Sequence, residues 1–208
     1  MIPIESIMAF ILVSAFLGIA PGPDNIFVLM QSAMHGKKSG VLVTLGLCSG
    51  LIVHTVIVAF GVAAIFQTSV LAFNLLKIVG AGYLLYLAWL AFKARPDKLE
   101  GHGSNLRSDA ALYRRGVIMN ITNPKVSIFF LAFLPQFAEP ELGSLTMQIF
   151  MLGAVFIAVT LVIFSAIAFL AGTLGTWLNH SPKAQLYLNR IAGTVFCVLA
   201  LKLATTNK

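Results

Sequence analysis

Apolar positions in this chain fall in runs long enough to cross a hydrocarbon core, which takes about 20 residues of helix. The runs lie at 4–30, 41–66, 70–92, 115–137, 145–172 and 184–203. They predict an all-α membrane protein of six transmembrane helices, a single domain over residues 1–208. The turns between them are short except for one polar loop, 93–115, so no separate soluble catalytic domain fits. Two runs are interrupted. Pro21-Gly22-Pro23-Asp24-Asn25 lies in the first and Asn123-Pro124-Lys125 in the fourth. Proline removes a backbone donor, and hydrocarbon offers no water to replace it, so such a break persists only inside protein or beside a wet cavity. Pro21, Gly22, Pro23 and Pro124 therefore predict broken helices in spans one and four. Each break sits beside an ion, the pattern of a transport site.

Composition agrees with a bilayer solvent: 59% of residues are hydrophobic and 10% charged, against roughly 25% charged in soluble domains. The amino terminus has no basic n-region, and its apolar run is too long for a signal peptide, so it reads as a retained first helix. The net charge of +7 is distributed by topology rather than gathered into a nucleic-acid-binding face. Lys37 and Lys38 follow span one; Lys93, Arg95, Lys98, Arg107, Arg114 and Arg115 lie between spans three and four; Lys183 and Arg190 flank the turn before span six. The opposite side carries Glu5, the turn Gln67-Thr68-Ser69, Glu139 and Glu141, with Lys202 and Lys208 near the carboxyl terminus. By the positive-inside rule both termini face outward and the basic loops face the cytoplasm. Trp89, Tyr113, Trp177 and Tyr187 fall at the cytoplasmic ends of spans, as an aromatic belt would. The basic loop also suits anionic lipid. Cys48 and Cys197 lie within spans and read as small hydrophobes, with no disulfide. No cluster at metal-ligand spacing is present.

The topology gives the breaks a geometric meaning. Three spans per half is an odd number, so halves that were structural repeats would form a 3+3 inverted repeat. Asp24 and Lys125 each lie about ten residues from the cytoplasmic end of a span, or about 15 Å at a rise of about 1.5 Å per residue, near the middle of the core. An unpaired charge there costs about 2.5–3.5 kcal/mol on insertion scales. Each therefore needs a partner or a wet cavity. The simplest arrangement pairs Asp24 with Lys125, directly or through substrate or water; a pair that only fixes packing is the plainer alternative. Asn25, Asn120 and Asn123 add donors and acceptors, giving a midplane site for a small zwitterion whose ammonium faces Asp24 and whose carboxylate faces Lys125 or freed amides.

Span two carries Gly40, Gly46, Gly50 and His54, the last three at i, i+4 and i+8 on one face. Glycines so spaced let helices approach closely. His54 extends the stripe and reads either as a proton relay or as a neutral side chain hydrogen-bonded between helices. Lys77 is expected to snorkel to the interface, Gly80 and Gly82 to serve packing, and the phenylalanines of spans four and five to face lipid or core.

Gly18-Ile-Ala-Pro-Gly-Pro-Asp24-Asn25, the glycine-rich span ending near His54, and Asn123-Pro124-Lys125 with Phe133-Leu-Pro-Gln-Phe137 resemble the lysine exporter superfamily, in its homoserine/threonine resistance branch. The resemblance covers essentially the full length. It implies export of amino acids or close derivatives across the bacterial inner membrane, driven by the proton gradient, often by a homodimer and with no cofactor. Carried over by position, its signature residues are Pro21, Gly22, Pro23, Asp24 and Asn25, then Asn123, Pro124 and Lys125. Branches of the superfamily differ in substrate, and position 24 is where this chain leaves that choice most open.

The residues argue separately for a secondary transporter. A buried carboxylate takes either a proton or a substrate ammonium, so the two compete at Asp24, which suits antiport by alternate exposure. No GxxxxGK[ST] loop is present for a nucleotide. One acid and one base suffice for a zwitterion, which favours uncharged substrate side chains. An intramembrane serine protease fits poorly: Gly46-Leu47-Cys48-Ser49-Gly50 lacks the glycine two residues before the serine, and His54 points to a different face of the same helix. His35, His102 and His180 lie in loops. A passive channel would show flux without coupling to pH, and a structural or sensory subunit would leave Asp24 replaceable by Asn without loss of any flux.

Overall fold

A computed structural model describes residues 2–68, 70–95 and 108–205. Ser69, Lys98, His102, Arg107 and Lys208, with most of the basic loop, lie outside them. The described residues form eight α-helices: α1 (Ile4–Ile19), α2 (Pro23–His35), α3 (Lys37–Thr68), α4 (Val70–Lys93), α5 (Asp109–Ile121), α6 (Pro124–Ile128), α7 (Leu145–His180) and α8 (Pro182–Thr205). Among them α3, α4, α7 and α8 are each long and apolar enough to cross a membrane. The pair α1–α2 is bent by 61°, and α5 is bent by 49° from the segment Pro124–Phe137. Counting each bent pair as one span gives six, with both bends at the prolines that predicted them.

Helix ends depart from the apolar runs by several residues. α3 begins at Lys37 rather than 41, α5 at Asp109 rather than 115, and α7 continues to His180 rather than 172. Hydropathy marks where hydrocarbon ends, whereas a helix stops where its backbone bonding is capped. At the start of α5, Ser108 accepts a hydrogen bond from the Ala111 amide at 3.2 Å, and Asp109 places negative charge in the first turn, where the helix dipole favours it.

Pro135 shapes the end of the fourth run. Without its N–H the Leu131 carbonyl has no α-helical partner. The chain widens to a π-helical turn over Phe129–Phe133, in which the Leu134 amide reaches the Phe129 carbonyl five residues back, and then tightens to a 3₁₀ turn over Leu134–Phe137. Phe129, Phe130, Phe133 and Phe137 are all buried. With Phe10 of α1 and Phe156 of α7 they form one aromatic cluster with ring centroids 5.1–6.4 Å apart. These rings are core and not lipid-facing.

Lipid gives helices no hydrophobic reason to associate, so close backbone contact must hold them. α3 packs along α5 and α7, α2 against α3 and α7, α1 against α7, and α4 against α8 and the π turn. At the α3–α5 crossing a Cβ on Gly46 would lie 2.1 Å from the Tyr113 carbonyl oxygen, and one on Gly116 would lie 2.3 Å from that of Val43. Gly50 fits against Asn120, Gly40 against Ser32 and Gly80 against Ala132. Gly82 differs from the expectation: among the described residues nothing lies within 4 Å of its added Cβ. Lys77 is buried rather than extended to the interface. Outward faces carry residues such as Ile57, Leu71 and Val162, and the expected belt residues Trp89, Tyr113, Trp177 and Tyr187 are exposed.

This packing predicts opposite results for two glycines. Gly46→Ala forces a methyl into backbone that cannot yield, so it is expected to lower stability by about 1–3 kcal/mol. Gly82→Ala meets open space inside a helix and is expected to raise stability by up to about 1 kcal/mol. Thermal unfolding in detergent separates them, and equal melting temperatures would contradict the close α3–α5 contact.

Candidate functional site

The site begins with carbonyls that proline leaves unpaired. In an unbroken helix the Leu17 carbonyl would accept from residue 21 and that of Ile19 from residue 23, but both are prolines. α1 therefore ends with its last carbonyls bare. Lys125 Nζ donates to two of them, Leu17 at 3.3 Å and Ala20 at 3.2 Å. Asn25 Nδ2 donates to a third, that of Gly18, at 2.5 Å. The carbonyl end of a helix carries partial negative charge, so the ammonium is also well placed electrostatically. Gly22 leaves room for this approach: a Cβ there would lie 3.0 Å from Nζ, and the ammonium would have to yield slightly.

The second break repeats the problem. Pro124 cannot donate to the Asn120 carbonyl, which instead accepts from the Asn123 amide at 3.1 Å and from His54 Nε2 at 3.2 Å. Since a carbonyl only accepts, the ring proton sits on Nε2. His54 is thus the interhelical hydrogen bond that was one of its two readings, and its ring lies 5.6 Å from that of Phe130.

The two breaks also grip each other. Asp24 is the second residue of α2 and Lys125 the second residue of α6, each directly after a proline. Asn123 caps α6 by accepting from the Lys125 amide at 3.0 Å, and its Nδ2 donates to Asp24 Oδ2 at 2.9 Å. The direct Asp24–Lys125 pair is not formed: Asp24 bonds the cap of α6, while Lys125 bonds the end of α1.

Asp24 and Lys125 nevertheless line one cavity with Asn120, Thr160, Leu17, Gly18 and the apolar side chains of Leu47, Leu51, Val126, Phe156 and Phe164. Its volume of about 20 Å³ has room for one water and none for an amino acid, so this conformation is too tight to hold a substrate. Asp24, Asn25 and Asn120 are at most 8% exposed. Each has a side-chain oxygen that accepts no hydrogen bond: Asp24 Oδ1, Asn25 Oδ1 and Asn120 Oδ1.

Of the residues predicted from sequence, Asp24, Asn25, Asn120, Asn123 and Lys125 come together. His54 reaches the group through the Asn120 backbone. Pro21, Pro23 and Pro124 are exposed behind it, shaping the chain without facing the cavity. Sequence reasoning missed Thr160 and the apolar wall. Thr160 was the one available signal, a hydroxyl that shares the middle of the apolar run of α7 only with Ser165.

A family model for LysE type translocators matches residues 15–207. The chain belongs to that family. This LysE type translocator is 33% identical over 198 residues, 95% of each chain, to the homoserine/homoserine lactone efflux protein of Salmonella typhimurium. It is 32% identical, at the same coverage, to the protein of that name from Salmonella typhi. An uncharacterized membrane protein of Vibrio cholerae is 30% identical over 198 residues, 95% of this chain and 96% of its own. No solved structure matches the chain. As a LysE type translocator it is a multi-pass membrane protein.

Asn123 serves two roles that substitution can separate. Asn123→Ala is expected to lose a helix cap, about 1 kcal/mol, and to leave the buried Asp24 carboxylate short of a donor, a further 1–3 kcal/mol or so. Asn123→Ser retains a capping oxygen too short to reach Asp24 and should fall between Ala and wild type. Unfolding midpoints in detergent test the order, and a Ser variant no better than Ala would remove the cap from the account.

Proposed function

We propose that the protein is a secondary transporter that exports small neutral amino acids or their derivatives, of the threonine, homoserine or leucine kind, from the cytoplasm by proton antiport. The reading rests chiefly on three buried oxygens without hydrogen-bond partners, on Asp24, Asn25 and Asn120. Two of them, on Asp24 and Asn120, belong to residues that line the cavity, where they could accept N–H donors of a substrate ammonium. Lys125 spends two of its three donors on α1. The third, with the Thr160 hydroxyl, is available to a substrate carboxylate or ester oxygen. Leu47, Leu51, Phe156 and Phe164 then face the side chain, which suits a short aliphatic group and offers no acid for a cationic one. The names of the Salmonella relatives point the same way.

In this mechanism the cavity widens toward one membrane face at a time, and the half-helices α2 and α6 move with their charges. Proton and substrate ammonium exchange at Asp24, so loading one releases the other. His54 and Asn123 position the breaks and do not themselves meet the substrate. The same reading places the protein in the bacterial inner membrane with both termini outside, as a single six-span domain that works alone or as a homodimer. A channel would share the charged midplane but would not need an occluded state.

Proteoliposomes test this directly. A pH gradient is expected to drive uptake of labelled L-homoserine or L-threonine by the wild type, and Asp24→Asn is expected to abolish that response. Flux indifferent to the gradient would make the protein a channel or facilitator. Preference for lysine or arginine would refute the neutral side chain.

A further inference from the structure

Among the buried polar side chains of α2, Asp24, Asn25, Gln31 and Ser32, Gln31 lies seven residues beyond Asp24. That is two helical turns, about 10 Å along the axis, and Asp24, Val28 and Gln31 share the buried face. Gln31 is 2% exposed, and its Oε1 accepts no hydrogen bond. Burying a bare carbonyl is unfavourable, and leucine would fill similar space without it, so packing does not explain the residue. One further turn along, His35 is exposed and α2 ends at Gly36. Gln31 therefore stands between the cavity and the exposed end of α2. Beside it, Ser32 turns its hydroxyl back to the Val28 carbonyl at 2.7 Å, and the backbone of Gly40 lies close against Ser32 and the Ala168 methyl. Val28 joins Val43 and Leu47 of α3 and Phe164 and Ala168 of α7 in one apolar cluster.

We propose that Gln31 is a waiting station on the route from the cytoplasm to Asp24, where its side-chain carbonyl accepts an N–H of the exported solute's ammonium before that group passes inward. The proposal rests on the amino-acid reading above. An uncharged acceptor holds a cation loosely enough to release it, and the carboxylate two turns deeper holds it more firmly. The order of acceptors along α2 thus leads an ammonium toward the midplane. Entry requires α2 to part from α3 and α7 where Ser32 meets Gly40 and Ala168.

Two measurements test the station. Gln31→Leu, which suits the apolar surroundings, is expected to raise the melting temperature in detergent while slowing L-homoserine export about tenfold, the effect of one lost hydrogen bond to a charged group. In a Cys48→Ala, Cys197→Ala background, Gln31→Cys is expected to react with a membrane-impermeant thiol reagent from the cytoplasmic face only, and L-homoserine should slow that reaction. Wild-type export in Gln31→Leu, or a thiol inert from the cytoplasmic face, would overturn the proposal. If the thiol reacts from that face but the wild type carries no L-homoserine, the route stands and the substrate reading alone fails.

Discussion

The ammonium of Lys125, set against the carbonyls of Leu17 and Ala20, allows a helix to stop in the middle of a bilayer. In water a bare helix end is solvated at little cost; in hydrocarbon each missing bond costs several kcal/mol. The lysine supplies two of those bonds from another part of the chain, and in doing so fixes where α6 lies against α1. That placement brings Asn123 within reach of Asp24. The site is therefore a consequence of capping as much as of catalytic or binding demand: the same groups that repair the broken backbone surround the cavity.

His54 does for the second break what Lys125 does for the first. Pro21 and Pro124 each remove one donor, and the carbonyls they free, those of Leu17 and Asn120, each receive a side chain from a distant segment. The repairs differ in kind. One uses an ammonium at the carbonyl end of a half-helix, the other a ring N–H. The acid and the base that line the cavity are Asp24 and Lys125.

Much of this was legible in the sequence because proline, glycine and buried charge act locally. Pro21, Pro23 and Pro124 mark both bends, and Gly46 and Gly50 mark close approaches that the structure contains. The choice of partner was not legible. Nothing in the spacing of Asp24 and Lys125 indicates that each would bond backbone or amide instead of the other, because that depends on the angle between α1 and α6. Thr160 and Gln31 were passed over for a related reason. A single hydroxyl or amide scarcely changes the hydropathy of a run, and only burial separates a polar group facing a cavity from one facing headgroups. Lys77 misled in the opposite direction: its long stem permits snorkelling, and packing around α4 decides that it stays inside. Gly82 misled because a glycine pattern alone does not say which face has a neighbour.

The phenylalanine cluster and the contact of Ser32, Gly40 and Ala168 are built differently. Six rings meet in the first, whereas in the second two small side chains lie against glycine backbone, beside the aliphatic cluster of Val28, Val43 and Leu47. In the exchanger proposed above, opening toward one face or the other would break one set of contacts or the other, so the two openings would differ in activation energy. Equilibrium would be untouched by that bias, and the direction of net movement would still belong to the gradients on either side. What the asymmetry would set is which exposure an unloaded molecule visits while it waits.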